Sequence, residues 1–264
     1  MKSRILVIGH SHAVSVLNGS RKAGFLTDGI IGGGYPEIIW KLDQFNNRKG
    51  KSLLPKIQLK KNESKNVFDL TSNFKIPEKI VICWNGNQHN ARSLLNSNVE
   101  FDFLMDGHDV NLSKFLIPKS IIEDFLDYGF IPGGISNWLR ELLNTLNFER
   151  NKEIKIVLLN PPPPLPTSIC IERLSSDSFF SKNYGYNTDV KFEVTDFLIR
   201  RKLWLAWTLR LKFWANEFGV LHVEQPKPFF DHDGSLALRY WGEDITHAND
   251  DYGRDYFQHV MNQI

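Results

Sequence analysis

Residues 5–12 read Ile-Leu-Val-Ile-Gly-His-Ser-His. Four apolar residues in a row, without alternation, predict a strand buried on both faces, as in a parallel sheet. Gly9 closes the run and opens a tight turn, so His10, Ser11 and His12 fall at the carboxyl end of that strand. Working outward, the pattern returns. Lys79-Ile80-Val81-Ile82-Cys83-Trp84 follows Pro77, Ile154 to Leu159 precedes four prolines, and Val220 to Val223 follows Gly219. Ile30-Ile31 before Gly32 marks a further short strand. Between these runs, apolar residues recur at three and four: Ile121, Ile122, Phe125 and Leu126, then, past a turn at Gly133-Gly134, Trp138, Leu139, Leu142, Leu143 and Leu146. The longest predicted helix spans Thr195 to Phe218, with Thr195 or Asp196 as its N-cap and Gly219 just past its end. Ile199, Leu203, Trp207, Leu211 and Trp214 form its apolar stripe. Arg200, Arg201, Lys202, Arg210 and Lys212 lie largely elsewhere, and Trp204 lies off the stripe as an exposed tryptophan. Buried strands alternating with helices predict an α/β fold with a parallel sheet and right-handed crossovers.

The composition agrees. The chain has 264 residues, 42% hydrophobic and 23% charged, with a formal charge of +2. These values exclude disordered and fibrous classes and give no electrostatic reason to expect nucleic-acid binding. No second hydrophobic core is marked, so residues 1–264 read as a single domain, with a Lys- and Asn-rich loop or insertion near 41–65 whose plain reading is a solvated surface. Two cysteines, Cys83 and Cys170, exclude a disulfide framework and read as reduced thiols. The apolar run at the start is too short for a signal peptide, and no window is long enough for a membrane span. A soluble, cytoplasmic protein is the expectation; the oligomeric state is left open.

Ligands of open parallel sheets bind at the carboxyl ends of the strands. Three polar clusters fall there or near the C-terminus: Gly9-His10-Ser11-His12, Asn85-Gly86-Asn87-Gln88-His89-Asn90 and Asp244-Ile245-Thr246-His247. A serine hydroxyl needs a base to become a nucleophile, and His247 is a candidate. Asp244, three residues earlier, shares a face with it on one turn of helix or a tight loop and would hold the imidazole tautomer. Asn87 offers an amide donor, and backbone N–H groups of Ser11 and of Gly32-Gly33-Gly34 offer more, as an oxyanion hole requires. Each signal has a plainer reading alone: a Ser after a strand caps a helix, Asp-x-x-His is a solvated pair, and Asn-Gly is a turn. Their order and spacing together carry the functional reading.

Those residues resemble the SGNH (GDSL-like) hydrolases, over nearly the whole chain from residue 5 to about 260. Gly9-His10-Ser11-His12 is similar to the family's Gly-Asp-Ser turn, with His10 in place of Asp. Gly32 or Gly33 matches its oxyanion glycine. Asn87 matches its Asn, with Asn85 where a Gly is expected. Asp244 and His247 match its Asp-x-x-His. The resemblance implies a three-layer α/β/α sandwich with a five-stranded parallel sheet of flavodoxin-like order. It also implies a metal-free esterase, lipase, deacetylase or acyltransferase that needs no cofactor and acts through Ser11, His247 and Asp244. It does not select a substrate, for which a short acyl ester of a sugar or small metabolite is the expectation. An O-acyltransferase with the same triad is the nearest alternative, with His10, His12, Asn85 and His89 as pocket residues. The two departures also leave open a binding module for carbohydrate or a partner on the same fold.

His10-x-His12 after a first strand is also compatible with a zinc site, with His89, His108, His222 and Asp244 as further ligands. That site belongs to an eight-stranded barrel, and too few strands are marked here. His222, in an apolar run, reads as a satisfied core or sheet-edge histidine, and His232 and His259 as surface residues. Pro161 to Pro164 read as a stiff loop over the sheet edge, with a pocket wall as the functional alternative.

Overall fold

The computed structural model describes residues 5–31, 77–83, 93–96, 100–128, 134–145, 154–174, 176–177, 180 and 193–264. Its frame is a five-stranded, all-parallel sheet. The strands are β1 (Ile5–Gly9), β2 (Thr27–Ile31), β3 (Lys79–Cys83), β7 (Lys155–Leu159) and β9 (Leu221–Val223), in the order β2-β1-β3-β7-β9. This is the flavodoxin-like order, in which β3 is central and the chain reverses its direction of growth between β1 and β3. The register places Ile8 beside Ile30 and Ile82, and Gly9 beside Ile31 and Cys83. Two short pairs stand outside the sheet: β4 (Leu95–Asn96) with β8 (Glu193–Val194), and β5 (Phe101–Phe103) with β6 (Phe115–Ile117). Runs of two or three residues leave no periodic signal, and neither pair is marked in the sequence.

The helices are α1 (His12–Lys22), α2 (Lys119–Tyr128), α3 (Gly134–Thr145), α4 (Thr167–Leu174), α5 (Phe197–Glu217) and α6 (Asp250–Met261). They cover both faces of the sheet. Leu6, Ile8, Ile80, Ile82, Ile156 and Leu158 pack on one side with apolar residues of α2, α3 and α5. Ile5, Val7, Val81, Val157 and Leu159 pack on the other with α1, α4 and α6. Successive strand residues thus serve opposite cores, which is why the runs are continuous rather than alternating. Burial of each such side chain contributes about 1.5–3 kcal/mol.

The boundaries follow local chemistry. Asp196, not Thr195, caps α5: its carboxylate accepts from the Leu198 amide at 2.8 Å. Gly219 follows at φ 64°, a left-handed position that suits glycine. The strand marked by Ile30-Ile31 begins earlier, at Thr27. The segment 41–65 lies outside the described residues.

Helix α5 departs from its expected one-sided stripe. Arg200 is 0% exposed, Lys202 5% and Trp204 5%. The reason is a second covering layer. Arg200 donates to the Thr195 and Leu165 carbonyls, each at 2.9 Å, and to Thr167 Oγ1. Lys202 pairs with Asp102 at 2.5 Å and donates to the Asp109 carbonyl. Trp204 Nε1 donates to the Pro161 carbonyl at 3.0 Å. The apolar stripe marks only the sheet-facing side of α5, and the polar groups buried under the loop lie off it. The prolines of that loop are themselves buried.

Candidate active site

The site is built where α1 leaves β1. A Cβ added to Gly9 would fall 2.2 Å from the Cys83 carbonyl oxygen, so only glycine lets the chain turn this close to β3. Ser11 follows as the N-cap residue of α1, and its side chain makes no capping hydrogen bond. The cap reading of Ser11 therefore does not describe it: the side chain is exposed at the carboxyl edge of the sheet. At this end of α1 the Ala13 and Val14 amides donate to the His10 and Ser11 carbonyls at 2.8 and 3.1 Å, and the helix dipole favours negative charge there.

From the other end of the chain comes the segment before α6. It is a tight loop rather than a helical turn. Gly242 N donates to the His247 carbonyl at 3.0 Å, and a Cβ on Gly242 would lie 2.2 Å from that oxygen, so the loop closes on itself. Ile245, fully buried, pins it from inside. Arg173 donates to the Gly242 carbonyl at 2.8 Å from α4. Within this loop, Asp244 Oδ2 lies 2.6 Å from His247 Nδ1. Its other oxygen, Oδ1, accepts from the Thr246 and His247 amides at 2.8 and 2.7 Å. Burial works against the ionised carboxylate, but His247 beside it and the two amides hold Asp244 well below the usual carboxylate range.

The two segments meet through histidines. The His12 ring packs against the His247 ring, 4.5 Å between centroids and tilted by 31°. His12 is the residue next to Ser11, so the Asp244-His247 loop sits at the start of α1. Helix α6, beginning just after the loop, runs against α1: Asn18 Nδ2 lies 3.3 Å from Asp250 Oδ1, and Lys22 Nζ lies 2.8 Å from Asp250 Oδ2.

Beneath His12 is a small cavity of about 10 Å³, lined by residues including Ser15, Cys83, Asn160, Pro161 and Tyr252. That is room for about a single water molecule. Pro161 and Pro162 belong to its wall. Asn160 follows β7 directly, and Tyr252 comes from α6. The carboxyl-end rule applied to β7 points to Asn160, and Tyr252 lies in the stretch Ala248 to Gly253 that follows the Asp-x-x-His segment and shares its family resemblance. Gln225 ties this wall together, donating to the Pro161 carbonyl at 2.7 Å and to Tyr252 Oη at 2.9 Å. His222 sits at the outer end of the same layer, 2.7 Å from Asn160 Oδ1. Burial pushes its pKa down to about 4, the behaviour of a satisfied sheet-edge histidine. His232 is exposed, and His259 meets Gln263 on the surface of α6.

Gly32, Gly33, Asn85, Asn87 and His89 lie outside the described residues. His10 lies in the turn between β1 and Ser11, half-buried. Cys83 and Cys170 are free and buried. Among the described residues, no helix is long and apolar enough to cross a membrane, and no cluster of three or more His, Cys, Asp or Glu could hold a metal ion.

No family model matches the chain, and no curated protein matches it. Among solved structures, it is similar to a GDSL-like lipase from Bacteroides thetaiotaomicron. The identity is 10% over 99% of this chain and 86% of that one, with a TM-score of 0.46. It is also similar to an acetyl xylan esterase, at 8% identity over 99% of each chain and a TM-score of 0.42.

Proposed function

We propose that the protein is a serine hydrolase that cleaves a carboxylic ester, with Ser11 as nucleophile, His247 as general base and Asp244 as the group that orients it. The observation that carries this reading is the divided carboxylate of Asp244: one oxygen on His247 Nδ1, the other on two amides of the same loop. An Asp held this way stays ionised and fixes the imidazole with Nδ1–H toward it, which leaves Nε2 as the basic nitrogen.

The chemistry then follows. As Ser11 Oγ bonds to the acyl carbon, its proton passes to His247 Nε2 and the carbonyl electrons move onto oxygen. The resulting oxyanion is received, in this reading, by the Ser11 N–H, the Gly32 or Gly33 amide and the Asn87 side chain, with the dipole of α1 adding to them. When the ester C–O bond breaks, the imidazolium returns the proton to the leaving alkoxide. Water, deprotonated by the same nitrogen, releases the acid from Ser11. An acceptor hydroxyl in place of water would make the same site an O-acyltransferase. A short acyl group on a sugar or small metabolite is the proposed substrate class.

The test is covalent labelling of the purified protein with a fluorophosphonate, read by peptide mass spectrometry, alongside p-nitrophenyl acetate hydrolysis. Modification of Ser11 is the expected result. A folded protein that is neither labelled nor active would mean a binding module.

A further inference from the structure

We infer that His12 is a positioning residue for His247: its ring is the wall that fixes the tilt of the catalytic imidazole. The inference rests on the reading of His247 as the base. Polar contacts at Nδ1, 2.6 Å to Asp244 Oδ2 and 3.2 Å to Thr246 Oγ1, anchor one edge of the ring and do not by themselves set the tilt of its plane. Rocking swings Nε2, the atom that must face the serine. A contact on the ring face opposes that motion, and the His12 ring makes one, with 4.5 Å between ring centroids. Contacts of this kind between planar rings are oriented as well as attractive.

His12 is suited to be a wall because it is itself held. It is 6% exposed and lies in the first turn of α1. It borders the same small cavity as Cys83 of β3 and Tyr252 and Tyr256 of α6. His247, by contrast, keeps 28% of its side chain open to solvent, so one region of the ring rests on protein while another remains reachable. His12 is also bonded directly to Ser11. One rigid turn therefore carries both the nucleophile and the surface that aims its base, and movement of α1 shifts the two together.

The test compares wild type with His12→Leu, which fills the space without a ring, and His12→Phe, which restores a ring face. Two readouts are taken. One is kcat and KM on p-nitrophenyl acetate. The other, which needs no substrate, is the low-field proton resonance of the His247 Nδ1–H bonded to Asp244. In His12→Leu, kcat is expected to fall about 10- to 100-fold with KM within about twofold, and the low-field resonance to broaden or move, since small misplacements of a catalytic group cost this much. His12→Phe is expected to recover kcat to within about threefold and to restore the resonance. A His12→Leu protein equal to wild type in both readouts overturns the inference while leaving the base assignment intact. If Ser11→Ala proves as active as wild type, the triad reading falls, and the resonance alone decides whether His12 holds His247. Circular dichroism checks the fold. His12→Asn replaces any variant that melts early, with the outcome expected for Leu.

Discussion

Gly253 of α6 and Ser15 of α1 meet backbone to backbone. A methyl group built on Gly253 would lie 1.9 Å from the Ser15 carbonyl oxygen and 2.3 Å from its carbon, and one on Gly19 would lie 2.1 Å from the Arg254 nitrogen. Neither clash involves a side chain that can swing away, so the helices must separate. Gly253→Ala should lower stability by about 1–3 kcal/mol, the usual range for overpacking. Because α1 carries Ser11 and the loop before α6 carries His247, ester cleavage at a temperature where the variant is still folded should also fall. Thermal melts and a rate assay on one sample check both.

Ser11→Ala and His247→Ala should each reduce p-nitrophenyl acetate cleavage by at least about 10³-fold, since the residues of a triad act as a unit. The melting temperature of Ser11→Ala should stay within a degree or two, because the exposed hydroxyl caps nothing. An unchanged rate in both variants would refute the assignment.

Asp244→Asn keeps the shape of the side chain and removes its charge. The amide can still accept from the Thr246 and His247 N–H groups through its oxygen, but it then turns an NH₂ toward Nδ1 and imposes the wrong tautomer. The rate should fall by about 10²–10⁴-fold, and the loop should stay closed. Asp244→Ala should lose the loop as well, seen as a lower melting temperature than that of Asp244→Asn.

Lys202 and Asp102 form an ion pair with each side chain 6% exposed. The neighbours of Lys202 include the Asp109 carbonyl and the Phe103 ring, with Nζ 5.1 Å from its centroid. Lys202→Met leaves a buried carboxylate without its cation and should cost about 3–5 kcal/mol. The double variant Lys202→Met/Asp102→Leu should recover much of that loss. Urea titration of the three proteins measures it.

His222 is neutral in the fold down to about pH 4, whereas in the unfolded chain it takes a proton near its ordinary value of 6.5. Between those values the unfolded state binds more protons, so this residue makes stability fall as the pH drops from about 6.5 to about 4, and not further below. His222→Gln keeps a donor toward Asn160 and should flatten that part of the stability–pH curve. Melts at half-unit pH steps test the sign.

The sheet was legible because its strands are buried on both faces: Ile5 to Ile8, Ile80 to Ile82 and Ile156 to Leu159 need no partner to be recognised. The pairing of Asp244 with His247 was legible for a different reason, since residues three apart can meet within one tight loop. What the sequence could not display is contact between distant segments. The meeting of His12 with His247, the burial of Arg200 and Lys202, and the hydrogen bond from Trp204 to Pro161 all depend on how loops fold over helices. Periodicity within one helix carries no trace of that. Asn160 is intermediate: its place after β7 follows the same rule that singles out Ser11, but it is followed by prolines rather than by a motif.

The seam between α1 and α6 also bears on how fast the protein folds. Its partners lie near opposite ends of the sequence, so the seam forms only after a very long loop has closed, an entropic cost met before the contacts that offset it exist. The pairing of β1 with β2 and β3 involves no residue of α6, whereas Ser11 and His247 come together only once α6 is made and docks on α1. Until then the proposed nucleophile is without its proposed base. The proposed activity is thereby tied to completion of the fold: refolding followed by tryptophan fluorescence should run ahead of the return of p-nitrophenyl acetate cleavage, with the lag measuring the docking of α6.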